Sequence, residues 1–157
     1  MLELSRRKFI HNSVFYAITA TTLAHSVLRA GNAYAAWPTL AYQSDNVDDV
    51  LKKLYGDVGV VASDDIRIKA PAIAENGAVV PVSVNSNIKD IESISILVEE
   101  NPNPLVAQFN MVKNQRGYIN TRIKMGKTSN IIAVVKSNGA LYSAKQIVKV
   151  TIGGCGG

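Results

Sequence analysis

One residue in this chain stands out for covalent chemistry. Cys155 is the sole cysteine, set in Gly153-Gly154-Cys155-Gly156-Gly157, the last five residues. A thiol between glycine pairs has no flanking side chain to pack around it, and no second cysteine in its own chain to pair with. Glycine lacks a Cβ and takes up φ > 0 freely, so this pattern predicts a thin, flexible arm. At roughly 3.3–3.6 Å per extended residue, the step from Gly153 to Cys155 carries the sulfur about 10 Å past the last strand. The expectation is a carrier arm that enters a narrow channel on another protein with cargo bonded to sulfur. A free thiol with a pKa of about 8.5 is only a few per cent thiolate at neutral pH. No cation adjoins Cys155 in sequence, and the terminal carboxylate two residues on opposes ionisation. Activation is therefore expected from the enzyme pocket entered, not from this chain.

Other chemistries are poorly supplied. Both histidines, His11 and His25, fall in an N-terminal segment built like an export signal. Ser5-Arg6-Arg7-Lys8-Phe9-Ile10 matches the twin-arginine pattern, a moderately apolar stretch runs from about Val14 to Leu28, and Ala33-Tyr34-Ala35 offers an A-x-A cleavage site. That stretch is too short and too polar for a spanning helix, which needs about 20 mostly apolar residues. Residues 1–35 are thus expected to be a cleaved twin-arginine signal, which implies a periplasmic protein with no stable membrane association. Removing 35 of 157 residues leaves 122, enough for one domain with a real core. The net charge of +5 falls to +2, because Arg6, Arg7, Lys8 and Arg29 leave together with Glu3. With few aromatics and no concentrated basic block, nucleic-acid binding has little support. Without histidine, the mature chain lacks the usual base for a Ser or Cys nucleophile and the commonest metal ligand. One cysteine and two methionines, Met111 and Met125, build no zinc cage, iron–sulfur cluster or His-ligated haem. Asp48-Asp49 and Asp64-Asp65 lack calcium-loop spacing. No catalytic residue, metal site or cofactor is expected.

The elements that must hold the arm follow from periodicity. Trp37 to Gln43 is a short apolar lead-in, and Ser44-Asp45-Asn46 supplies N-cap candidates. Val47, Val50, Leu51 and Leu54 then recur at i, i+3, i+4, i+7, with Asp48 and Asp49 early, Lys52 and Lys53 late, and Gly56 as the stop. This predicts one short amphipathic helix packed on the domain. From Ile66 the period becomes 2: Ile66 and Ile68; Val80, Val82 and Val84; Ile94, Ile96 and Val98; Ile119, Thr121, Ile123 and Met125; Val148, Val150 and Ile152. Ala107 to Met111 is a weaker candidate and Ile131 to Val135 a continuous apolar run. Asn76-Gly77 and Asn138-Gly139 are hairpin signals, and Asn101-Pro102-Asn103-Pro104 and Arg116-Gly117 read as loops. Pro81 within a strand pattern points to an edge or a bulge. About seven strands in residues 36–152 predict an all-β, immunoglobulin-like antiparallel sandwich, followed by the arm at 153–157. Lys145 and Lys149 near the arm, and Arg122 and Lys124 on one outward face, read as ordinary polar strand positions.

Together these residues resemble the SoxY family, the sulfur-compound carriers of the periplasmic thiosulfate-oxidising Sox system. The matching stretches are Ala74-Glu75-Asn76-Gly77-Ala78-Val79-Val80-Pro81-Val82, Asn101-Pro102-Asn103-Pro104-Leu105, Thr121-Arg122-Ile123-Lys124-Met125 and Val148-Lys149-Val150-Thr151-Ile152 before the terminal G-G-C-G-G. The resemblance implies a heterodimer with a second small β-sandwich subunit, SoxZ. It implies that a haem c cytochrome joins thiosulfate to Cys155 as a cysteine S-thiosulfonate, that a hydrolase releases sulfate, and that a sulfane dehydrogenase, where present, oxidises the remaining sulfur. Gly153, Gly154, Gly156 and Gly157 then form the arm that admits Cys155 to each enzyme.

Two other readings fit parts of the chain. A ubiquitin-like cytoplasmic sulfur carrier also ends in Gly-Gly, but bears sulfur on its terminal carboxylate, at odds with an export signal and an internal cysteine. A structural module that forms an intermolecular disulfide through Cys155 is the alternative function. Prenylation fails on register, since its cysteine is fourth from the end and Cys155 is third.

Overall fold

The computed structural model describes residues 38–151. The proposed signal, residues 1–35, and the arm, residues 153–157, lie outside the described residues.

The described residues begin with a single helical turn, α1 (Thr39–Tyr42), in the apolar lead-in. Helix α2 (Val47–Tyr55) follows, where the helical spacing predicts it. Its N-cap is Asn46, whose side-chain oxygen accepts from the Asp49 N–H at 2.8 Å, satisfying one amide that the helix leaves without an internal partner. The Gly56 N–H closes the other end on the Lys52 carbonyl.

Nine strands follow: β1 (Val60–Ala62), β2 (Ile66–Lys69), β3 (Ile73–Ala74), β4 (Val80–Ser86), β5 (Ile91–Val98), β6 (Leu105–Asn110), β7 (Gly117–Ile123), β8 (Ser129–Ser137) and β9 (Ala140–Val150). They form two sheets. The larger runs β1-β9-β8-β5-β6, with β3 also on β9, and the smaller runs β2-β4-β7. The all-β sandwich is as expected, with two differences. There are nine strands among the described residues where seven are predicted, and the larger sheet is mixed. Both β1 and β3 pair parallel to β9 along one edge.

Between the sheets lies the main core. Val80, Val82 and Val84 of the small sheet face Ile94, Ile96, Ile131, Ala133, Val135 and Val148 of the large one. The strict alternation of β4 reflects one buried face and one open face. By contrast β5 is buried along nearly its whole length, because the large sheet has a second apolar layer beneath the helices. There Leu97, Leu105, Ile132, Val134 and Leu141 pack with Ala41 and Val50, and with Val47, Leu51 and Leu54 at the margin. Each such side chain, taken fully out of water, contributes about 1.5–3 kcal/mol. Two serines buried under α2 are satisfied by Tyr55, whose hydroxyl lies 2.7 Å from Ser95 Oγ and 3.5 Å from Ser93 Oγ.

The turns correct one expectation. Asn138-Gly139 is a tight hairpin joining β8 to β9, both residues at positive φ (49° and 76°), as its Asn-Gly pair predicts. Asn76-Gly77 is a turn but not a hairpin. It carries the chain from β3, in the large sheet, to β4, in the small one. Pro81 sits in the central strand of the small sheet. However, pairing with β2 stops at Ser83, so at Pro81 the strand is paired to β7 alone. Among the described residues, no helix is long and apolar enough to cross a membrane.

Candidate functional site

Cys155 and its four flanking glycines, Gly153, Gly154, Gly156 and Gly157, fall outside the described residues. What the structure supplies is the seat from which they depart. Among the described residues β9 is the longest strand, and it has neighbours on one side from three separate segments: β1, β3 and, through Gln146 Nε2 donating to the Ala70 carbonyl at 3.0 Å, the turn between β2 and β3. Its last residues are held from both sides. The Lys149 N–H donates to the Ala72 carbonyl at 3.0 Å and the Thr151 N–H to the Ala74 carbonyl at 3.1 Å. On the other side the Val150 N–H donates to Thr128 Oγ1 at 3.0 Å. Val148 is fully buried. At about 0.5–1.5 kcal/mol net for each hydrogen bond, these contacts hold the strand to its end. Cys155 lies four residues beyond Thr151, so covalent geometry limits its Cα to about 14 Å from that anchor.

The rim of this seat is built from the stretches that carry the family resemblance. The Met125 N–H donates to the Gly77 carbonyl at 2.7 Å. The approach leaves no room for a side chain at 77: a Cβ there would collide with the Met125 carbonyl oxygen and stand 2.8 Å from Val150 Cγ1. Glycine is required here by proximity, and its φ is not in the left-handed region. Asn76 Oδ1 accepts from the Ala78 N–H at 2.9 Å and fixes the same turn. Asn101 spans the next gap, its Nδ2 donating to the Lys124 carbonyl at 2.8 Å while its Oδ1 accepts from the Gly126 N–H at 3.0 Å. Gly77 and Thr128 thus meet Val150 directly, and Asn101 fixes the adjoining loop at Lys124 and Gly126. Sequence reasoning found Gly77 and Asn101 only as turn and loop signals and missed Thr128, which has no local pattern.

Charge near the seat is only partly neutralised. Lys127 pairs with Glu100 at 2.9 Å and Lys145 with Glu99 at 3.8 Å, and Glu99 also accepts from Asn130 Nδ2 at 2.7 Å. Lys145 therefore has a structural partner, as its polar strand position suggested. Lys149, Arg122 and Lys124 are exposed and form no ion pair among the described residues. The groups with displaced pKa values lie elsewhere. On α2, the hydrogen bond from Lys53 holds the Asp49 carboxyl below its ordinary value. Glu92, near the Asn138-Gly139 hairpin at the other end of β9, is lowered chiefly by its hydrogen bond with Lys136. Tyr42 is raised by burial. These three groups do not converge on one another or on the seat of the arm, and no cluster of three or more metal-ligating side chains occurs among the described residues. What the described residues provide is a β9 end held by hydrogen bonds along both edges.

Comparison with known proteins gives the family. The family model described as sulfur oxidation protein SoxY matches residues 51–155, from α2 through Cys155. Among solved structures, the sulfur carrier protein SoxY from Chlorobium limicola f thiosulfatophilum is 42% identical, with a TM-score of 0.62, covering 67% of this chain and 96% of that one. A chain from a study of T cell activation by the bacterial superantigen toxic shock syndrome toxin-1 is 9% identical, covering 55% of this chain and 99% of that one at a TM-score of 0.39. An engineered protein is 11% identical, covering 55% of this chain and 20% of that one at a TM-score of 0.38. The last two are too distant to carry an argument. No curated protein matches. The family model and the 42% identical match place this small β-sandwich among the sulfur oxidation proteins. Within that class, the chain belongs to the SoxY family.

Proposed function

We propose that this protein is a covalent sulfur carrier that holds thiosulfate-derived intermediates on Cys155 and presents them to the enzymes of periplasmic sulfur oxidation. The observation that carries this reading is the placement of the sole cysteine four residues beyond a firmly held strand end, in a chain of the SoxY family. A sulfur on a tether of at most about 14 Å enters another protein's channel while the sandwich stays outside. The similar Chlorobium protein is itself described as a sulfur carrier.

The chemistry balances as follows. Joining the Cys155 thiolate to the outer sulfur of thiosulfate forms an S–S bond and releases two electrons, which a haem c cytochrome accepts. Hydrolysis of the resulting S-thiosulfonate adds one water, releases sulfate and two protons, and leaves a persulfide anion on Cys155. A sulfane dehydrogenase, where the organism has one, oxidises that remaining sulfur. Each step belongs to a partner enzyme, and the carrier is non-catalytic. The twin-arginine segment at 1–35 directs it to the periplasm, and a SoxZ-like subunit completes a heterodimer.

The test is the intact mass of protein recovered from thiosulfate-grown cells. Thiol-labile adducts confined to Cys155 are expected, and Cys155→Ser is expected to abolish thiosulfate turnover in a reconstituted system without altering the fold. Unchanged turnover by that variant, or a disulfide-linked dimer with no small adduct, overturns the reading.

A further inference from the structure

The outer face of the three-stranded sheet is a surface that the carrier chemistry does not use. β2, β4 and β7 contain no acidic residue, yet their open face presents Arg67, Lys69 and Arg122, all exposed, and Arg116 flanks it. None of these four makes an ion pair among the described residues. The strand register places Arg67 in a row with Tyr118, which is 47% exposed, and Lys69 in a row with Asn120. The lysines of β8 and of the middle of β9 are instead paired, Lys136 with Glu92 and Lys145 with Glu99. Arg67, Lys69 and Arg116 line a trough of about 1210 Å3 open to solvent. That shape is too wide and too open for one small oxoanion, which calls for an enclosed site where several donors converge. A broad cationic trough with hydrogen-bonding amides and an exposed aromatic ring suits a macromolecular surface of opposite charge.

Position identifies the occupant. The cationic row continues through Arg122 to Lys124, just past β7, where Met125 and Gly77 meet Val150 at the end of β9. A body seated on the trough therefore lies next to the anchor of the Cys155 tether. We infer that the outer face of β2-β4-β7 docks an acidic surface of the enzyme whose channel receives Cys155, so that charge on this sheet aligns the arm with the channel mouth. This rests on the carrier reading for the identity of the enzyme, but not for the location of the face.

The test has two arms, both on the mature protein. In the first, the charge-reversed variant R67E/K69E/R122E is compared with wild type as a substrate of the sulfate-releasing hydrolase, after Cys155 has been loaded and its adduct checked by intact mass. The KM for the carrier is expected to rise at least about tenfold at low ionic strength while kcat is kept, with the gap closing as salt is added. An unchanged KM, or a loss of kcat alone, overturns the proposal. In the second arm, a decaglutamate peptide is titrated into isotopically labelled protein. Amide shifts confined to β2, β4 and β7 support the face, and shifts scattered over the surface or centred on α2 overturn it. Saturation of the same amides by thiosulfate alone, or their protection on assembly with the second subunit, also overturns it. Failure of wild type to load at Cys155 would sink the carrier reading while leaving the peptide arm to decide the face.

Discussion

The two sheets of this sandwich meet across one core and differ on their outer sides. The large sheet is roofed: α2 lays Val50, Leu51 and Leu54 over Leu97, Ile132 and Val134, and the lysines around that roof are matched by acids. The small sheet is bare, polar and cationic. The roofed sheet also carries the clamped end of β9, so the mount for the arm belongs to the half with two apolar layers. The difference separates two tasks. The last residues of β9 are held by hydrogen bonds along both edges with Val148 alone buried among them, whereas β2-β4-β7 keeps one whole face in water.

Substitutions can break this contrast. The largest effect is expected from Leu97→Ala, at a position with no solvent exposure beneath the helices. A loss of about 2–5 kcal/mol in denaturant unfolding is expected for deleting a buried leucine side chain, against less than about 0.5 kcal/mol for Arg67→Ala on the bare sheet. Equal effects at the two sites would dissolve the distinction. Next comes Gly77→Val at the rim. Forcing a side chain against Met125 and Val150 is expected to cost about 1–3 kcal/mol and to speed amide exchange at Val150 and Thr151 before it affects β5. Uniform exchange throughout would show that the seat is not a separate clamp. Tyr55→Phe leaves the Ser95 hydroxyl buried without its 2.7 Å partner and is expected to cost about 1–3 kcal/mol, at the lower end if water enters.

The smallest effect concerns Glu92 and its Lys136 partner. Its folded-state pKa is depressed below the ordinary 4.5, chiefly by the Lys136 hydrogen bond, so the unfolded chain binds the proton more readily. The stabilisation is present above the ordinary value and is lost as pH falls through it toward the folded value. Glu92→Gln is therefore expected to be slightly less stable than wild type at neutral pH and to converge with it in acid. A gap that widens on acidification would contradict the assignment. The pair is half exposed, so added salt should shrink the difference.

Much of this architecture is legible in the residues. Strands β2, β4, β5, β7 and β8 fall where alternation or a continuous apolar run predicts them, because side chains on one buried face must recur every second residue. Helix α2 is legible from its cap and apolar stripe. Most of β9 is not. From Ala140 to Gln146 it carries serine, alanine, lysine and glutamine in half-covered positions near an edge, so no apolar period survives. β1 and β3 are too short to show a period, and they exist through parallel pairing with a strand about 75 residues or more further along. Asn76-Gly77 mimics a hairpin because its local chemistry makes a turn, and local chemistry does not say to which sheet the next strand will go.

The sequence alone determined that a single cysteine stands among glycines after a β-patterned domain, because residue identity and side-chain period are local properties of the chain. Tertiary structure alone decided that the strand before that thiol is gripped by Ala72, Ala74, Gly77 and Thr128, and that Arg67 and Arg122 share an open face. Those contacts join segments distant in the chain, and no periodicity within either segment encodes the distance between them.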